Sequence, residues 1–328
     1  MSEERSKPLA PDAPAAVVLS GWRAFSRRHR LALTIIGSVG AVVVLAVVVA
    51  RRRHEFEVAL SGPSAWVLAV TVLLQIAALV SRSEAWHLSI EAAGGAVPRR
   101  VLYRASSMQV LGGLLNSQLG VAARITALRR SSPTVCPQVP TLIAAEFPIL
   151  AVEGMLAALA SFTLIAPLGL PWWLPIIAIA VLAAASAGMR RMALNTGRHL
   201  WRGLAIARRL GHGSRLIGFV LVAVFAQIFR NWMLLHAVGV DASLLDAVAV
   251  LIAVVTLGQL PIGPSVGAAA AVLILGRQGV GATAAAGVLL TATGTLGGLC
   301  FAAWAGGDRL WSHLRRPRLH GGRRGQTE

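Results

Sequence analysis

Apolar runs about as long as a bilayer is thick recur along this chain, at residues 31–50, 64–81, 139–166, 172–189, 216–239, 244–262 and 284–305. A helix needs about 20 apolar residues to cross a hydrocarbon core of roughly 30 Å. A chain that repeats this pattern has lipid, rather than water, as its main solvent. In hydrocarbon each backbone N–H and C=O must be satisfied within the chain, which leaves helices as the structure such runs can form. Composition agrees: 56% of the 328 residues are hydrophobic and 13% are charged, against about 25% charged in soluble domains. The reading is an all-α polytopic membrane protein with about eight transmembrane helices.

The formal net charge of +18 would point to nucleic acid in a soluble protein. Here the arginines collect between apolar runs, which is the positive-inside pattern, and no nucleic-acid partner is expected. With the N-terminus inside, 26 of the 31 Lys and Arg fall in 1–30, 82–104, 123–138, 190–215 and 306–328. Arg51, Arg52, Arg53 and Arg277 stay outside, and Arg230 is left within a span. This orientation requires 105–122 to enter and leave on one side, and 263–276 to cross as a broken helix. If 263–276 is also re-entrant, the basic tail lies outside.

Domain organisation follows. Residues 1–30 are a Pro/Ala-rich cytoplasmic tail, 31–305 a transmembrane domain and 306–328 a basic tail. A cleavable signal peptide competes for the N-terminus, but Leu31–Ala50 is long for one and Arg51–Arg53 follows it directly. Residues 190–215 read as a basic interfacial helix or a solvated loop. The excess of arginine over lysine and the abundance of alanine suggest a GC-rich genome and a bacterial inner membrane. Cys136 and Cys300 stand far apart, and the eight histidines form no HExxH or paired cluster. No metal site or cofactor is expected.

Two stretches break the pattern. Thr256–Gly276, "TLGQLPIGPSVGAAAAVLILG", carries Pro261, Gly263, Pro264 and Gly267 where a simple span should not break. "NSQLGVAA" (Asn116–Ala123) aligns with "GPSVGAAA" (Gly263–Ala270), placing Gly120 beside Gly267, and each follows an apolar run bearing a glutamine, Gln109 or Gln259. Coincidence in an Ala/Gly-rich chain is one explanation, and an internal repeat is the other. Interrupted helices at membrane depth must be buried in protein or line a watery cavity. In corresponding positions of two halves they point to a midplane substrate site. Asn116 and Gln118 are polar candidates there, with Gly120, Pro261, Gly263, Pro264 and Gly267 as hinge or re-entrant positions.

Charged groups within the apolar runs add to this. Arg230 lies nine residues before Gly239, about 13 Å at helical rise, which strains snorkelling. A buried Arg faces a partner or a cavity. Gln227 and Asn231 are its neighbours. Glu146 and Glu153, seven apart, share a helix face with Pro148 as a kink between them. Arg230 is expected to pair with Glu146 or Glu153 near the cavity, as a headgroup site or as a structural ion pair joining two helices. Arg124 offers a planar fork for phosphate, or acts as a positive-inside anchor. Thr291, Thr293 and Thr295 with Gly294 and Gly298 make a small-residue face for close helix packing. Trp172 and Trp173 read as an interfacial anchor.

Four segments resemble the transmembrane region of the lysylphosphatidylglycerol synthase family, which also occurs as stand-alone flippase-like proteins. "SRSEAWHLSIEAAGGAVPRRVLYRA" (81–105) is similar to its Arg/Trp-bearing helix end and the following loop. "LLNSQLGVAARITALRR" (114–130) is similar to its Pro-x-x-x-Gly-Glu-x-x-Arg segment at Gly120 and Arg124. "AAEFPILAVEG" (144–154) matches its Glu-Arg position at Glu146, and "PIGPSVGAAAAVLILGRQGV" (261–280) is similar to its Pro-x-Pro-Gly-Gly-x-Gly-x-x-Glu segment. The chain departs at Asn116 for Pro, Val121 for Glu, Phe147 for Arg and Ala270 for Glu. If those family charges handle headgroups or couple transport, substrate or function is altered here. The resemblance implies the membrane half alone, without synthase activity.

The expectation is therefore a flippase-like protein, not an enzyme, that moves an anionic phospholipid or polyprenyl-linked molecule between leaflets. Arg124, Arg230, Glu146, Glu153, Asn116 and Gln118 are its headgroup candidates. A non-transporting scaffold with an unspecified protein partner is the alternative. A membrane enzyme is less favoured, because the cytoplasmic loops are basic rather than carboxylate-rich.

Overall fold

The computed structural model describes residues 53–113, 117–132, 136–194, 210–257 and 266–315, together with Ala50 and Leu204. Among them every regular element is helical. In chain order these are α1 (Arg53–Ser61), α2 (Ala65–Ala92), α3 (Arg99–Gly113), α4 (Ser117–Ser131), α5 (Val139–Ala144), α6 (Phe147–Ala160), α7 (Ile165–Leu168), α8 (Leu174–Leu194), α9 (Leu210–Ala237), α10 (Leu244–Leu257), α11 (Val266–Leu275) and α12 (Val280–Arg315). Short 3-10 turns, Ser161–Leu164 and Gly276–Gln278, join α6 to α7 and α11 to α12.

Five described stretches are long and apolar enough to cross a membrane: Ala65–Ala92, Val139–Leu168, Leu174–Met192, Gly213–Ala237 and Val280–Gly307. They mark a multi-pass membrane protein. The expected count of about eight is not reached among the described residues. The first expected span, 31–50, lies outside them apart from Ala50. Within the run 244–262 the 14 residues of α10 extend about 21 Å, and 258–262 lie outside the described residues. Residues 51–63, expected as a loop, include helix α1, which packs on α12. Helix α12 continues past 305 to Arg315, so the expected tail begins within a helix. The interfacial helix expected at 190–215 falls largely outside the described residues.

The surface is what a lipid solvent produces. Helix α8 packs on α6 and leaves Ile176, Ile177 and Val181 exposed. Such large apolar side chains would be a liability in water and cost nothing against acyl chains.

Packing centres on α2 and α9, each 28 residues long. Leu68, near the start of α2, packs on the cluster that holds Leu234 and Leu235 near the end of α9. Ala78 clusters with Ala223 and Ala226. Trp86 and Ile90, near the end of α2, share a core with Leu216 and Val220 near the start of α9. The contacts run in reverse order, so the two helices are antiparallel.

Each long helix is followed by two short ones that pack on each other, α3 with α4 and α10 with α11. The starts of α3 and α10 are 145 residues apart. Gly94 (φ +89°) and Gly239 (φ +80°), again 145 apart, turn the chain left-handed after the long helices. At both ends a backbone N–H reaches back five residues, Gly95 to the Ile90 carbonyl and Val240 to the Leu235 carbonyl. That is the Schellman termination that glycine permits. The α3–α4 pair shares one buried cluster with the end of α2, and the α10–α11 pair shares the other with the end of α9.

Local chemistry sets the breaks. Pro148 cannot donate to the carbonyl of Ala144 and its ring crowds that carbonyl. The helix accordingly turns at Ala145 and Glu146 between α5 and α6. Ser243 and Asp246 form a reciprocal cap at the start of α10: the Asp246 N–H donates to Ser243 Oγ (3.2 Å) and the Ser243 N–H to the Asp246 carboxylate (2.9 Å). A Cβ on Gly120 would sit 2.6 Å from the Gln109 carbonyl oxygen, so α3 and α4 meet backbone to backbone there.

Candidate functional site

Among the described residues, two polar centres built around a buried arginine lie inside this apolar body. The first is built from α2, α4 and α6. Arg82 and Trp86 are one turn apart on α2 and share a face. Glu146 and Glu153 are two turns apart at the start of α6 and within it. Arg124 projects from α4 into the space between them. Its guanidinium carbon lies 3.9 Å from the centre of the Trp86 ring, and it forms an ion pair with Glu146. Arg124 is 1% exposed and Trp86 0%, so this pair is desolvated, where cation–π attraction is worth about 2 kcal/mol or more. Arg82 donates to Glu153 at 3.0 Å, and that half-exposed pair lies close enough to bear on Arg124 electrostatically. Arg124 Nε and Arg82 Nε are buried without a hydrogen-bond partner among the described residues.

The second centre lies between α2, α9 and α12. Gln75 Oε1 accepts hydrogen bonds from Gln227 Nε2 (2.8 Å) and from Arg230 Nη1. Arg230 Nη2 donates to the Leu290 carbonyl at 3.1 Å. Glycines on α12 make the room: a Cβ on Gly294 would lie 3.4 Å from Arg230 Nη2, and one on Gly297 would lie 2.7 Å from Gln75 Cγ. Arg230 Nε and both amide atoms of Asn231 are buried without a hydrogen-bond partner among the described residues.

The pairing expected for Arg230 is not formed. Glu146 is taken by Arg124 and Glu153 by Arg82. The reason is register: Arg230 lies toward the end of α9, against the first half of α2, whereas the α6 glutamates face the second half of α2. Its place is filled by the neutral groups of Gln75 and Leu290.

Of the other residues singled out from sequence, Gln118 lies in α4, and Asn116, Pro261, Gly263 and Pro264 lie outside the described residues. Gly120 forms the α3–α4 contact. Gly267 does not repeat that role on its own hairpin partner α10: a Cβ there would lie 2.8 Å from the Gly287 carbonyl oxygen of α12. The small residues of α12 meet different neighbours rather than one packing face, Gly294 facing Arg230 of α9. Gly298 faces Val110, and Thr291 and Thr293 bond back to carbonyls of their own helix.

Sequence reasoning missed Gln75, whose signal is a lone amide inside an apolar run. It assigned no role to Arg82 and Trp86, although both stand in a segment carrying the resemblance. It also missed a third cluster, in which Tyr103, the one tyrosine of the chain, donates to Glu84 while Arg99 Nε lies 3.4 Å from the same carboxylate. The Tyr103 ring packs 5.4 Å from Trp304 and 6.3 Å from Phe301, centre to centre.

Fold and site together define a multi-pass helical membrane protein with two buried arginine centres. Comparison with family models, curated proteins and solved structures finds no match to this chain.

Proposed function

We propose that the protein moves a phospholipid or lipid-linked molecule between leaflets of a bacterial inner membrane. The observation that carries this reading is Arg230. It is a cation 7% exposed within a span, about two turns from its end, held by neutral groups alone among the described residues, beside an Asn231 whose amide is unsatisfied. A permanent structural role would be better served by a carboxylate partner, whereas an anionic headgroup passing through would supply the missing charge and hydrogen bonds.

The architecture supports the same reading. Two long antiparallel helices, each leading into a pair of short ones, are read as inverted halves of a duplicated unit. The short helices are read as re-entrant, and such halves rock against each other in alternating access. In this reading Arg124, Glu146 and the Arg82–Glu153 pair form a cytoplasmic gate, with the N-terminus inside by the positive-inside pattern. The resemblance to the lysylphosphatidylglycerol synthase transmembrane region is consistent with it, since Arg124 and Glu146 are matched positions that form an ion pair.

The test is leaflet exchange of fluorescent phospholipids and of a polyprenyl-phosphate lipid in proteoliposomes, wild type beside Arg230→Ala. Exchange above empty liposomes, lost in a folded variant, supports the proposal. One observation favours a second reading as a scaffold: Arg124 is already neutralised by Glu146 and covered by Trp86. A stable protein that exchanges no lipid would decide for the scaffold.

A further inference from the structure

The face of α4 turned away from Trp86 borders an open groove of about 800 Å³ between α4 and α5. Val121, Ala122, Ile125, Thr126 and Arg129 line it from α4, and Val139 and Ile143, one turn apart, line it from α5. The spacing on α4 is that of a single helix side. From Val121 to Arg129 the lane rises about 12 Å, almost wholly apolar, and ends at two consecutive arginines, Arg129 and Arg130. Both arginines are exposed, and neither makes an ion pair or hydrogen bond with a described residue.

We propose that this groove is a standing binding site for a glycerophospholipid with net negative charge. The argument is charge complementarity at the end of an apolar lane. An acyl chain fills the lane from Val121 to Ile143, and the phosphate diester accepts from the planar forks of Arg129 and Arg130. A free anion would leave the lane bare, and an apolar peptide would leave two cations unpaired. A zwitterionic lipid would bring its ammonium group against two guanidinium groups. The site goes beyond leaflet exchange and does not depend on it, since Arg124, the candidate transport residue of α4, points to the opposite, buried side of the helix.

The test is lipid retention by full-length protein in native mass spectrometry, after exposure to phosphatidylglycerol or phosphatidylcholine. The wild type retains phosphatidylglycerol with a preference of about thirtyfold, as two basic groups near a lipid headgroup provide at about 1 kcal/mol each. Arg129→Gln with Arg130→Gln abolishes the preference, and the paired Lys substitutions keep most of it. Ala122→Trp, at an exposed position, fills the lane and lowers retention of either lipid. The proposal is overturned if the wild type retains neither lipid or both equally, if the preference survives the double Gln variant, or if Ala122→Trp changes nothing. A dimer that Ala122→Trp disperses, with no lipid retained, would also overturn it by placing a second copy in the groove. Because transport is not read, a failed exchange assay and a failed retention assay remain distinct results.

Discussion

At the scale of single residues, the buried charges carry most of what can be measured. Removing one partner of a desolvated ion pair leaves an uncompensated charge and costs about 3–5 kcal/mol. Arg124→Met is therefore expected to lower the stability of the detergent-purified protein by that amount in an equilibrium unfolding titration. The double variant Arg124→Met with Glu146→Leu should regain most of the loss. A double variant no better than the single would show that the pair is not desolvated together. The Gln75–Arg230 contact is of another kind, since polar contacts between membrane helices average about 0.6 kcal/mol and reach about 1.7. A double-mutant cycle with Gln75→Ala and Arg230→Ala should return a coupling in that range. Arg230 and Glu146 are plain in the sequence, because each interrupts an apolar run, whereas Arg124 falls in a basic connection and Gln75 was passed over. Their partners are not plain: Glu146 and Glu153 sit at the right spacing to serve Arg230, yet lie beside other arginines.

At the scale of elements, proline and glycine placed the breaks legibly. Pro148 announced the α5–α6 turn, and the Gly-rich stretches announced helices too short to cross. Close approach was harder to read, since a glycine in an apolar run looks the same whether it faces backbone or lipid. Gly120 meets the Gln109 carbonyl, whereas Gly188 in α8 has nothing within 4 Å of a built Cβ. Gly120→Val should push α3 and α4 apart and cost about 1–3 kcal/mol or more by overpacking. Gly188→Ala should be neutral or stabilise by about 0.5–1 kcal/mol. Folded yield on fluorescence-detected size exclusion separates the two, and equal yields would place the α3–α4 contact elsewhere.

At the scale of the molecule, the antiparallel pairing of α2 and α9 organises both centres. Ala78 and Ala223 lie in one buried cluster. With Cys136 and Cys300 replaced by Ser, Ala78→Cys with Ala223→Cys should cross-link on oxidation, while Ala78→Cys with Leu234→Cys should not. The reverse result would mean that the two helices run parallel or in another register. The same pairing makes the recurrence of long, short and short helices meaningful, because it sets the α3–α4 and α10–α11 pairs at opposite ends of one two-helix core.

The apolar runs, the arginine-rich connections and the proline and glycine breaks by themselves determined that this is a helical membrane protein, where several of its helices begin and end, and which polar groups lie among apolar residues. Those properties follow from local composition and from the bilayer as solvent. Which arginine meets which carboxylate, and that Gly267 packs on α12 rather than on α10, were decided by tertiary structure. In lipid, apolar residues have no preference for one neighbour over another. Helix pairing is then set by shape and by a few buried polar contacts, and those depend on register between segments far apart in the chain.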